Sequence, residues 1–130
     1  MSFGAKQGDQ VVGTDTHIIM VPSPGGPVPT PMPLPFTGKI VGNCSTNVMI
    51  GGMPAATVGS TAMNSPVHIP PGGTFQTPPT NQGTVIAGSG TVFINNKPAA
   101  RVGDKVNTCN DPAPAPTSSI VGAGTVMIGG

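Results

Sequence analysis

The sequence predicts an all-β fold assembled from three related hairpin units, and three observations carry that prediction. Helix formers are nearly absent: the chain has no Glu and a single Leu, Leu34. Gly (20) and Pro (17) make up more than a quarter of the 130 residues and recur too often to leave a clean run of helical turns. Val, Ile and Thr dominate the apolar and β-branched positions, as in short strands joined by turns. So much Gly and Pro suggests disorder, yet 36% of the residues are hydrophobic and only 7% are charged. A disordered chain has the opposite balance. The length suits one domain, residues 1–130.

Each unit reads as two short apolar runs around a small-residue turn. The first spans 40–52, with Val48-Met49-Ile50 before Gly51-Gly52. The second spans 85–96, with Val92-Phe93-Ile94 before Asn95-Asn96. The third spans 120–130, with Val126-Met127-Ile128 before Gly129-Gly130. Gly-Gly and Asn-Asn after an apolar run are hairpin-turn signals. The first unit continues into Pro54-Ala55-Ala56-Thr57-Val58-Gly59-Ser60 and the second into Pro98-Ala99-Ala100-Arg101-Val102-Gly103-Asp104. The third stops at Gly130, but the chain begins with Ala5-Lys6-Gln7-Gly8-Asp9 in the same register. Read circularly there are three units, and the two ends of the chain are expected to meet. Pro-rich stretches at 22–36, 69–80 and 111–119 separate the units. They are expected as stiff, extended loops of polyproline type, with a disordered linker the alternative for 22–36.

A formal charge of +1, with neither Trp nor Tyr, speaks against a nucleic-acid footprint and against base stacking. The first ten residues hold no apolar run, so synthesis in the cytosol without a signal peptide is expected. Two Cys in such a chain raise a metal question before a disulfide question. Gly8 and Gly59 precede His17 and His68 by nine residues each, and Gly103 precedes Cys109 by six. No nucleophile motif surrounds any Ser, and Gly88-Ser89-Gly90 reads as a tight turn, so no enzyme activity is expected. Asp15 is placed either as an outer acceptor for the His17 ring or as a plain turn or surface residue.

On Pro98-Ala99-Ala100-Arg101, its variant Pro54-Ala55-Ala56-Thr57, and the flanking Val-Phe-Ile-Asn-Asn and Val-Gly-Asp elements, the chain resembles the PAAR-repeat family over residues 5–130. Thr57 in place of Arg and the long insert at 22–36 depart from its pattern. The resemblance implies a small cone of three β-hairpin repeats about a pseudo-threefold axis. Its base would cap a trimeric β-helical, VgrG-like spike protein of a contractile injection machine: a type VI secretion system, an extracellular phage-tail-like injector or a phage tail. The assembled tip would be delivered outside the cell or into a target cell, touch a target membrane in passing, and link effector cargo.

The resemblance also implies one structural Zn²⁺ per chain near the apex. The only His and Cys residues, His17, Cys44, His68 and Cys109, make a Cys2His2 set for it. Cys109 then stands where the family more often has His. A Cys44–Cys109 disulfide is the rival arrangement. Val48, Ile50, Val92, Phe93, Ile94, Val126 and Ile128 are the expected partner-binding residues, one tip facing one trimer. The alternative function is a freestanding, disulfide-linked extracellular binding or adhesion module, and a metal-dependent enzyme is a third, weaker class.

Overall fold

A computed structural model describes residues 2–111, 113–122, 124 and 126–129. Among them run β1 (Ser2–Phe3), β2 (Gln10–Val21), β3 (Val28–Gly42), β4 (Met49–Ile50), β5 (Met53–Pro54), β6 (Thr61–Asn64) and β7 (Thr74–Phe75). There follow β8 (Gln82–Val85), β9 (Phe93–Ile94), β10 (Lys97–Pro98), β11 (Lys105–Thr108), β12 (Ala115–Val121) and β13 (Met127–Ile128). The fold is all-β. Ala123, Thr125 and Gly130 of the third unit lie outside the described residues.

Six strands close into a small barrel in the order β12-β11-β8-β6-β3-β2, with β12 pairing β2 to complete the ring and β7 added beyond β2. All pairings are antiparallel. The barrel consists of three hairpins, β2–β3, β6–β8 and β11–β12, each entered through the Gly turn that closes one repeat. Those turns hold Gly8, Gly59 and Gly103 at φ of 94°, 97° and 97°, a left-handed backbone that strains any side chain. β2, β6 and β11 therefore leave the same end of the barrel and run the same way.

At that end sit three two-stranded ladders, β4–β5, β9–β10 and β1–β13. Gly51-Gly52 and Asn95-Asn96 all have positive φ, as a two-residue hairpin turn of the I′ type requires. In the third ladder the chain is open, and Ser2 and Phe3 pair with Ile128 and Met127. The two ends of the chain meet as the circular reading expects.

Alanine allows the three units to converge. The amide of Ala5 donates to Ala100, Ala100 to Ala56 and Ala56 to Ala5, at 2.9–3.0 Å. A second ring links Gln7 to Pro54, Val58 to Pro98 and Val102 to Phe3 at 2.8–3.0 Å. Ala5, Ala56 and Ala100 are fully buried, and any larger side chain would collide at the axis. Above them lie Val11, Ala62, Val106 and Ile40, Val85, Ile120, two further sets of three, capped by Phe36. Below them Ile50, Ile94 and Ile128 form a second cluster with Ala55 and Ala99.

Residues 28–36 are strand rather than polyproline-type loop or linker, and the spacing of the prolines is the reason. Pro29, Pro31, Pro33 and Pro35 alternate along β3, opposite Met20, Ile18, Thr16 and Thr14 of β2. Thr37 shares their parity, and its amide points away from β2 to Asn64 Oδ1 at 2.8 Å. All four missing N–H groups therefore fall on the outer edge, where proline is tolerated and where it blocks edge-to-edge pairing. The intervening Leu34 and Phe36 turn inward and are buried.

Ala100→Val should overpack the axis and cost about 1–3 kcal/mol. Phe93→Ala, at an exposed position, should change stability by no more than about 0.5 kcal/mol. Chemical denaturation of both variants checks the contrast; equal losses would contradict the packing described.

Candidate metal centre

β2, β6 and β11 carry their C-terminal ends to the pole opposite the alanine rings. His17 lies in β2, about 20 Å along the strand from Val11. His68 follows β6 and Cys109 immediately follows β11. Asp15 and His17 are two apart on a strand and share its inward face, as do buried Val11 and Ile19. The ligand atoms of Asp15, His17, His68 and Cys109 all lie within 4.8 Å of one another, and all four residues are buried.

The carboxylate of Asp15 has 0% exposure and divided duties. Its Oδ1 accepts hydrogen bonds from the Thr108 and Thr117 hydroxyls at 2.5 and 2.6 Å. Its Oδ2 lies 3.4 Å from His68 Nε2 and 3.5 Å from Cys109 Sγ. In a tetrahedral zinc site with bonds of about 2.0 Å to N and O and about 2.3 Å to S, the N···O and S···O edges are about 3.3 and 3.5 Å. Those two contacts already have the length of tetrahedral edges. The widest pair of ligand atoms, at up to 4.8 Å, would have to close by about 1.5 Å.

His17 supplies a second sign of fit. Neither ring nitrogen has a hydrogen-bond partner among the described residues, although the ring is buried. Buried polar nitrogens are rarely left so, and a metal would satisfy one of them. Asp111 Oδ2 stands 3.4 Å from Nδ1 without hydrogen-bond alignment and accepts the Ile18 amide at 2.9 Å. A carboxylate behind one imidazole nitrogen, with the other free to ligate, is the usual support of a metal-bound histidine. Asn110 beside it takes the Thr16 amide at 2.6 Å, so the residues after Cys109 tie that loop to β2. Phe75 and Phe36 pack edge-on against His17 and His68, and the two imidazoles lie 4.8 Å apart. A cavity of about 140 Å³, lined by His17, Cys109, Asn110, Asp111 and residues 77–80, opens onto the cluster.

Burial raises the Cys109 thiol to about 11, with the charge of Asp15 adding to the effect. Burial lowers the His68 imidazolium, against the Asp15 hydrogen bond that raises it. Without a cation the pole holds a neutral thiol and favours a neutral imidazole. A divalent metal would draw off the thiol proton on binding.

His17, His68 and Cys109 come together; Cys44 does not join them. β3 is antiparallel to β2, so Cys44, just beyond its end, returns to the alanine pole. There the neighbouring Ser45 amide bonds to Ala55 O and the Asn43 carbonyl to Ser60 Oγ. Cys44 Sγ contacts Gly42 O at 3.6 Å, and both cysteines are free thiols. Asp15 fills the fourth place instead. It is buried rather than a surface residue, and its alternation with His17 on one strand is the sequence signal that marks it. Ser89 of the Gly-Ser-Gly turn is buried and bonded to the Val92 and Thr91 amides and to Gly129 O, a turn-capping role.

A family model described as PAAR motif matches residues 76–130. No curated protein matches the chain.

The two ligand sets are separable. Elemental analysis after dialysis should give one divalent metal per chain for the parent and for Cys44→Ser. Asp15→Ala and Cys109→Ser should lose it; loss in Cys44→Ser with retention in Asp15→Ala would reverse the assignment. In the metal-free protein the Cys109 proton is held to about 11 when folded and released near 9.0 when unfolded. Its contribution to stability should be complete below pH 9.0 and fade as pH rises towards 11, as denaturant midpoints across that range would record.

Proposed function

We propose, from the match of residues 76–130 to the PAAR motif, that the chain is a PAAR-repeat protein and a non-enzymatic spike tip of a contractile injection machine. One copy would cap a trimeric β-helical spike. The observation that carries this reading is a threefold set of exposed apolar side chains within one chain. Met49, Phe93 and Met127 occupy the same place in the three ladders and are 55, 58 and 47% exposed. Single copies would match a threefold end without oligomerising, whereas three copies would present nine such ladders to three subunits.

The partner-binding residues divide by burial. Ile50, Ile94 and Ile128 are buried in the chain's own lower cluster, with Val48 and Val92 packed half-buried against it. Phe93 and Val126 remain exposed and join Met49 and Met127 as the docking face, with Phe3 and Met53 beside them. Large apolar groups in such a patch are the usual anchors of an interface.

At the opposite pole we infer one structural Zn²⁺, held by Asp15, His17, His68 and Cys109. Two imidazoles, one thiolate and one carboxylate are a zinc donor set, and four protein ligands leave no position open for chemistry. The ion would lock the ends of three hairpins where the core gives way to polar groups. The free thiols of Cys44 and Cys109 count against a disulfide-linked adhesion module.

Mixed with its spike partner, the protein should form a 3:1 spike-to-tip complex by native mass measurement; a 3:3 complex or a stable self-trimer would refute the threefold argument. Phe93→Asp should fold, with an unchanged circular dichroism spectrum, and weaken docking by about 2 kcal/mol or more, roughly thirtyfold in Kd. Ile94→Asp should fail to fold.

A further inference from the structure

Asn81 lies outside the four-residue cluster and bonds directly to the main chain of one of its members, His68. Its Oδ1 accepts the main-chain amide of His68 at 2.8 Å. The same Oδ1 accepts from Asn64 Nδ2 at 3.2 Å, and the Asn64 amide donates to Asn81 O at 2.8 Å. Asn64 Oδ1 in turn holds the Thr37 amide of β3. Through Asn64, Asn81 thus ties together the end of β6, the His68 loop and β3.

Its backbone explains why the residue is Asn. At φ 57° it lies in the left-handed region, which glycine and asparagine enter most readily. Glycine would supply that backbone but no carbonyl for His68. An ordinary residue with a polar side chain would resist the backbone.

We propose that Asn81 is a positioning residue of the metal centre: its side chain sets the His68 backbone and with it the direction in which the imidazole is presented. The proposal rests on the reading that Asp15, His17, His68 and Cys109 hold a metal. Partners behind the ligands of a metal site commonly govern about 10- to 100-fold of its affinity.

Zn²⁺ competition against a chromophoric chelator, on the full chain, tests the side chain. Asn81→Gly should weaken zinc at least tenfold, and Asn81→Asp, which keeps an acceptor for the His68 amide, should restore most of the loss. The melting temperature of the zinc-loaded Gly variant should fall more than that of its metal-free form; a purely structural role would lower both equally and would overturn the proposal. Should Asn81→Gly fail to fold, the parent protein still decides the matter. Its His68 amide, held by the Asn81 side-chain carbonyl, should exchange with solvent at least tenfold more slowly with Zn²⁺ bound than without. Slowed exchange supports the proposal, and equal exchange with and without bound Zn²⁺ overturns it. A parent chain that binds no Zn²⁺ overturns the metal-site reading and this one together. Tight metal binding that Asn81→Gly leaves unchanged overturns the role of Asn81 alone.

Discussion

Ala5, Ala56 and Ala100 pass backbone hydrogen bonds head to tail around an axis, each amide to the carbonyl of another unit. Nothing larger than a methyl group fits where three backbones approach so closely. That ring obliges three segments far apart in the chain to arrive together. It makes the first residues of the chain complete a repeat begun by the last ones, so β1 pairs with β13. Because each segment then turns through a left-handed glycine, β2, β6 and β11 depart in a common direction. The barrel, the three ladders with their exposed apolar side chains and the buried Asp15–His17–His68–Cys109 cluster all inherit their geometry from this convergence.

The two poles differ for a physical reason. Near the alanine ring each layer is a set of three small or aliphatic side chains, repeated three times, and closes well. Farther along, the hairpins become unequal in length and the repetition lapses. Phe36 fills the barrel, and beyond it the interior carries Asp15, His17 and His68 rather than aliphatics. Burying a carboxylate and two imidazoles is costly unless each finds partners. Thr108 and Thr117 serve one oxygen of Asp15, whereas both nitrogens of His17 lack a hydrogen bond. A cation would resolve that imbalance and stand in for the missing apolar core. The distribution of phenylalanine follows the same division: Phe36 and Phe75 pack on the imidazoles, while Phe3 and Phe93 are exposed at the other pole.

The long β2–β3 ribbon extends beyond the barrel with one edge of β3 unpaired over residues 28–36, the situation that invites aggregation. Proline at alternate positions removes every second donor, on the side that faces away from β2. The other edge, along β2, is taken up by Asn110, Asp111 and β7. A composition that resembles a flexible linker is therefore a protected edge strand.

Features that depend on neighbours in the chain were legible in the sequence. The absence of helix, the Gly-Gly and Asn-Asn turns, the three registered units and the meeting of the ends all follow from local backbone preference and spacing. So do three of the clustered residues, His17, His68 and Cys109, because each follows the same Gly turn by a similar distance. Only the tertiary structure decided the rest. Cys44 and His17 both flank apolar strands, yet the antiparallel return of β3 sends Cys44 to the alanine pole and leaves the fourth place to Asp15. Ile94 and Phe93 are adjacent and equally apolar, but the pleat turns one into the core and the other outward. Strand direction and register are set by pairing between residues distant in sequence, and composition and short-range spacing carry no record of that pairing.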